Sequence, residues 1–148
     1  MRVAESVDLP APPEEVWNVV MDPSRLGDWV SIHRSADTPS AGLLDMGSSF
    51  CQTLALGGRP FDVRWTVTGL ARPREAVWQG SGPVGSRASV HYGLERRNGG
   101  TRFSYENEFK LPGGPLGAFA GRIVGRRAFE REAKRSLANL RELFKRSR

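Results

Sequence analysis

Residues 10–30 read PAPPEEVWNVVMDPSRLGDWV, and this stretch decides the fold. Pro12 and Pro13 sit where a helix can open, because the first helical turn does not use those N–H groups. Glu14 and Glu15 follow in the first turn, where carboxylates meet the positive end of the helix dipole. Val16, Trp17, Val20 and Met21 then form one apolar face. Asp22-Pro23 stops the helix, since the residue before proline is pushed out of the α region. Ser24–Trp29 reads as a second short helix, with Leu26 and Trp29 three apart. Upstream, Arg2–Leu9 places Val3, Val7 and Leu9 in loose alternation and reads as a first strand. The block is therefore a small helical plug set early into a sheet, an arrangement that encloses a cavity.

From Ser31 to Leu111 the signals are strands and turns. Gly57-Gly58 separates two apolar-rich runs as a tight hairpin does. Phe61, Val63, Trp65 and Val67 alternate with Asp62, Arg64, Thr66 and Thr68, the period of a half-buried strand. Arg72-Pro73-Arg74 marks a turn, and Ala76–Gly80 a short strand. Ala88, Val90, Tyr92 and Leu94 alternate with Arg87, Ser89, His91 and Gly93. Asn98-Gly99 is a hairpin turn of residues that tolerate positive φ. Phe103, Tyr105, Asn107, Phe109 and Leu111 share the next strand's inner face. Pro112-Gly113-Gly114-Pro115 breaks the sheet, and Leu116–Lys145 reads as one long helix. Its stripe is Phe119, Ile123, Ala133, Leu137, Leu140 and Phe144, with Glu130 and Lys134 spaced to pair outside.

Composition narrows the function classes. A chain of 148 residues buries roughly 68–70% of its unfolded surface, so one domain over residues 1–148 needs no staple. The single cysteine, Cys51, excludes an internal disulfide and a cysteine zinc site. It reads as a small buried residue in a reducing, cytoplasmic setting. No run approaches a membrane span of ~18 apolar residues, and the first residues lack a signal-peptide core. Ten basic and three acidic residues lie between Arg122 and Arg148, so the whole net charge of +6 belongs to the last helix. A solvated helix face explains this. Without aromatic interleaving or a nucleic-acid motif, a nucleic-acid partner is disfavoured.

The order is strand, two short helices, about six more antiparallel strands, one long helix. In this order the chain resembles the START-like, helix-grip (SRPBCC) superfamily, in its bacterial polyketide cyclase/dehydrase-like branch. The residues that carry the resemblance are Pro12–Val20 with Trp17, the Asp22-Pro23, Leu26 and Trp29 block, and Gly114-Pro115-Leu116-Gly117 leading into the long helix. The resemblance implies an α+β fold: a curved antiparallel sheet of about seven strands wrapped around a C-terminal helix. It also implies an apolar or amphipathic small molecule, lipid- or polyketide-like, held between the two. The walls would be Trp65, Tyr92, Phe103, Tyr105, Asn107 and Phe109 from the strands, with Phe119 and Ile123 from the helix. One branch of the superfamily binds iron through histidines and a carboxylate. Only His33 and His91 are present, in no ligand-like spacing, so no metal or other cofactor is expected.

Individual residues carry different readings. Trp17 and Trp29 read as core. Trp65 points inward, where it either lines a pocket or packs on the helix, and the face of Trp78 stays open. Tyr92, Tyr105 and Asn107 are polar groups on an inner face. They either pair internally or serve as handles for a ligand. His91 and the pair Glu106 and Glu108 read as outward. His33 either looks into the cavity mouth or is incidental. Three functions remain: a carrier of a hydrophobic small molecule, a polyketide aromatase/cyclase working without metal or cofactor through Tyr92, Tyr105 and Asn107, or an interaction protein using the basic helix face. The sequence assigns neither the ligand nor an oligomeric state.

Overall fold

The computed structural model describes residues 1–38, 42–110 and 126–146. Seven antiparallel strands form one sheet: β1 (Arg2–Leu9), β2 (His33–Asp37), β3 (Ser49–Leu56), β4 (Arg59–Ala71), β5 (Glu75–Ser81), β6 (Arg87–Arg97) and β7 (Gly100–Lys110). Their spatial order is β1-β7-β6-β5-β4-β3-β2. Successive hairpins build β2 to β7, and β1 then closes on β7 with Arg2 opposite Glu108 and Leu9 opposite Thr101. Register shifts between His33 and Ser35 and between Val67 and Gly69 interrupt the ladder. Bulges of this kind bend a strand and increase its twist, and here the sheet curls into a half-barrel. The Asn98-Gly99 turn has φ of 51° and 78°, the positive values that such a two-residue hairpin requires.

Between β1 and β2 the chain lays down α1 (Pro13–Val20), a 3-10 turn (Pro23–Arg25) and α2 (Leu26–Trp29). The second helix expected over Ser24–Trp29 is thus split. Asp22 Oδ1 accepts from both the Ser24 amide, at 3.0 Å, and the Ser24 hydroxyl, at 2.7 Å. That clamp tightens the first turn before α2 begins. Val16, Trp17, Val19 and Val20 are buried, so α1 plugs one end of the sheet.

The C-terminal helix α3 (Arg126–Arg146) lies along β1 and meets α2. Ala133, Leu137, Leu140 and Phe144 are buried, as the spacing predicts. Residues 116–125 of the expected helix, with Phe119 and Ile123, lie outside the described residues. Glu130 pairs with Arg126 at 2.9 Å, while Lys134 reaches Glu5 of β1 at 4.0 Å. The expected Glu130–Lys134 pair is replaced because each side chain has a partner that also fixes helix geometry or docking. No described helix is long and apolar enough to cross a membrane.

Candidate functional site

Alternation along each strand sends every second side chain to the concave face. From β4, β5, β6 and β7 these are Trp65, Trp78, Tyr92, Phe103 and Tyr105, which pack as an aromatic chain. Trp78 lies 5.9 Å from Trp65 and 5.1 Å from Tyr92, measured between ring centroids. Tyr92 lies 5.2 Å from Phe103 and 5.9 Å from Tyr105. Between this face and the first half of α3 remains a cavity of about 60 Å³. Its wall is mostly apolar, with Val3, Leu26, Leu54, Val90, Phe109 and Phe129 prominent.

Of the residues expected to bind a ligand, Trp65, Tyr92, Tyr105, Asn107 and Phe109 lie on that wall. Phe103 is fully buried and meets the rings of Trp29 and Tyr92 instead. Trp78, whose face the sequence left open, points inward and joins the wall. Phe109 stacks at 5.7 Å against Phe129 of α3.

Two polar groupings sit on the wall. On β7, Asn107 Nδ2 donates to the Tyr105 hydroxyl at 3.1 Å. Burial pushes the Tyr105 phenol up, with the Asn107 bond pulling the other way, and burial beside Tyr105 raises that of Tyr92 further. Both phenols therefore stay protonated at neutral pH and act as donors, not bases. Across the cavity, Glu132 and Ser136 of α3 meet Ser31 just after α2. Ser136 Oγ accepts from the Ser31 amide at 3.0 Å, and the Ser31 hydroxyl donates to Glu132. This knot ties α3 to the plug and places a carboxylate on the cavity wall.

From Trp65 and Gln52, both on the wall, a relay absent from the sequence reading runs to His33. Trp65 Nε1 donates to Gln52 Oε1 at 2.9 Å, and Gln52 Nε2 lies 2.9 Å from His33 Nδ1. An indole N–H can only donate, so it orients the amide, and the amide N–H then needs a neutral Nδ1 as acceptor. Burial pushes the His33 imidazole below its ordinary value of 6.5. His33 thus buttresses Gln52 and does not itself line the cavity. Parity gave a signal for Gln52, since it alternates in phase with Phe50 and Leu54 on β3.

Two predictions arise here. Gln52→Leu leaves both Trp65 Nε1 and His33 Nδ1 unpaired, and a loss of about 1–3 kcal/mol is expected in urea unfolding. For His33, the folded state binds fewer protons than the unfolded chain. Its contribution is therefore complete above pH 6.5 and is lost as pH falls through the lower folded value. Unfolding at about pH 7.5 and about pH 5 should show that loss in the parent, reduced in His33→Asn. An unchanged slope in the variant would assign the acid sensitivity elsewhere.

Outside the cavity the candidates are surface groups. His91 pairs with Glu75 at 2.8 Å, and Glu106 with Arg2. Cys51, expected to be buried, is half-exposed on the outer face, 3.7 Å from Arg64 Nη1. It falls between Phe50 and Gln52, both of which turn inward, so strand parity forces it out. Among the described residues no cluster of His, Cys, Asp and Glu could hold a metal.

Known proteins are similar to this chain along nearly all of its length. An uncharacterized protein of Mycobacterium tuberculosis is 28% identical over 141 residues, 94% of this chain and 95% of its own. A second protein of that organism, named as a toxin, is 23% identical over 145 residues, 97% of each chain. The crystal structure of a conserved protein from Geobacillus kaustophilus superposes with a TM-score of 0.75 at 21% identity, over 99% of this chain and 97% of that one. At that identity the likeness is one of fold. The model of the family described as polyketide cyclase / dehydrase and lipid transport matches residues 1–145. Because that match runs from the first strand to the last turn of α3, and not over a single motif, the chain belongs to the polyketide cyclase / dehydrase and lipid transport family.

Proposed function

We propose that the chain, as a single ligand-binding domain, holds an apolar or amphipathic small molecule, lipid- or polyketide-like, between the concave sheet and α3. The observation that carries this reading is the apolar-walled cavity in a member of a family associated with such ligands. The site would consist of Trp65, Tyr92, Tyr105, Asn107 and Phe109, with Phe103 supporting the ring stack and Phe119 and Ile123 contributed from residues 116–125. At about 60 Å³ the space is a fraction of the ≈ 300–1,000 Å³ of ordinary small-molecule sites. A ligand larger than a few atoms therefore has to part α3 and the plug from the strands.

Titration of the purified protein with oleate tests this, read by tryptophan fluorescence because Trp65 and Trp78 stand on the wall. Saturable binding at one site is expected. Ala133→Phe, which fills the cavity from α3, should weaken it about tenfold or more while the folded circular dichroism persists. No saturable binding of oleate, together with no small molecule in native mass spectra of the purified protein, would overturn the reading.

The cyclase reading draws on one further observation, the hydrogen-bonded Tyr105 and Asn107 on the wall. Protonated phenols there could donate to a ketone oxygen while the cavity holds a poly-β-keto chain folded. A product mixture that is the same without protein, with it, and with Tyr105→Phe argues against catalysis. The interaction reading rests on the basic face of α3, where Arg126, Lys134 and Lys145 pair at the surface with Glu130, Glu5 and Glu142.

A further inference from the structure

Four buried polar side-chain atoms have no hydrogen-bond partner among the described residues, and two of them belong to the cavity wall: Trp78 Nε1 and Asn107 Oδ1. The other two, Trp29 Nε1 and Ser86 Oγ, belong to residues off the wall. The wall pair stands abreast. Trp78 of β5 is in register with Val90 of β6, and Val90 with Asn107 of β7. All three face inward, so at about 4.8 Å per strand the two residues that carry the orphans flank one apolar side chain.

Their chemistry differs. Trp78 is 2% exposed, and its indole can only donate, so it needs an acceptor oxygen. Asn107 gives an N–H to the Tyr105 hydroxyl, at 3.1 Å, and its buried Oδ1 needs a donor. With the amide turned over, the Tyr105 hydroxyl would donate to Oδ1 and the NH₂ would be the group in need of a partner. A hydroxyl answers both orientations, because it donates and accepts. A hydrocarbon wall or an acyl tail answers neither orphan.

We infer that the cavity selects an alcohol or phenol carried on an apolar frame, whose oxygen functions complete Trp78 Nε1 and the Asn107 amide. This rests on the cavity reading above and adds the chemistry of the ligand's inner end. Unpaired buried donors and acceptors are costly, so a ligand that pairs them outbinds a hydrocarbon of the same shape. The ring of Trp78 and the methyls of Val90 hold the frame, and the two polar atoms fix its orientation.

The test compares 4-propylphenol with propylbenzene by calorimetric titration, and follows the indole N–H signals by NMR. The Trp78 signal is identified as the one lost in Trp78→Phe. The phenol is expected to bind about tenfold tighter or more, and to move the Trp78 signal. Trp78→Phe keeps a ring but no donor, and Asn107→Leu keeps the shape but no amide. Each should cut the preference to about threefold or less, read as the ratio of the two affinities within the same variant. Should Asn107→Leu misfold, Tyr105→Phe with Asn107→Leu removes both members of the pair and leaves no orphan between them. Equal binding of the two compounds, or a preference that survives in both variants, overturns the inference and leaves the cavity reading standing. If neither compound binds, the inference falls, and the oleate titration decides the cavity reading separately.

Discussion

Trp29→Ala is expected to lower stability by about 3–5 kcal/mol, the cost of deleting a large buried aromatic group. For a domain of this size that is a fall of roughly 10 °C or more in Tm. Trp29 is 1% exposed. Its ring centroid lies 6.0 Å from those of Tyr92 and Phe103 and 6.3 Å from that of Tyr105, edge-on to the last two. Its carbonyl accepts from Asn139 Nδ2 of α3 at 3.1 Å. One residue of the plug thus joins β6, β7 and α3. The indole N–H has no partner among the described residues, so Trp29→Phe sacrifices volume but no hydrogen bond. It should cost about half as much or less. Scanning calorimetry of both variants decides the matter. A loss below about 1 kcal/mol for Trp29→Ala would mean that the plug is not the keystone the packing makes it.

The reason this residue was legible in sequence, while much of the cavity was not, is a difference between local and distant causes. Proline at a helix start, Asp22-Pro23 as a stop, period-2 alternation and the Asn98-Gly99 turn all act within a few residues. They gave β1 as Arg2–Leu9 and the helical plug close to where they stand. Gly57-Gly58 likewise turns between β3 and β4. The face of Trp78 had no such signal. On β5 the inward neighbours are Ala76 and Gly80, which offer no hydrophobic contrast to the outward Val77. The knot of Ser31, Glu132 and Ser136 spans about a hundred residues. Only the docking of α3 brings it together, and no spacing in the chain announces it. Cys51 shows the opposite error. A general preference of cysteine for the interior was overruled by the parity of its own strand.

Gly80→Ala is expected to be the most damaging single-methyl change on the sheet that can also be read at the cavity. A Cβ at Gly80 would stand 2.7 Å from Trp65 Cε3 and from Val63 Cγ1, and 2.8 Å from Trp65 Cζ3. Val63 and Trp65 are both buried, and Trp65 is pinned by its bond to Gln52. Neither group is a loose chain end that swings away. Overpacking of this kind costs about 1–3 kcal/mol, more where the neighbours are fixed. The direction of relief adds a functional effect. A Trp65 ring pushed toward the cavity loses its bond to Gln52 and fills space that a ligand needs. The expected result is a loss of about 3 kcal/mol in chemical unfolding, a shifted Trp65 indole N–H signal, and weaker binding of any cavity ligand. Gly93→Ala is the matched control. On neighbouring β6 its Cβ would meet only Ser104 Cβ, at an ordinary 3.6 Å, and a change within about 0.5 kcal/mol is expected. Equal tolerance at both sites would mean that the concave face has slack around Trp65. In that case the small cavity is not held at its size by the packing of Gly80, Val63 and Trp65, and the opening needed for a ligand would start at that wall instead of at α3 and the plug.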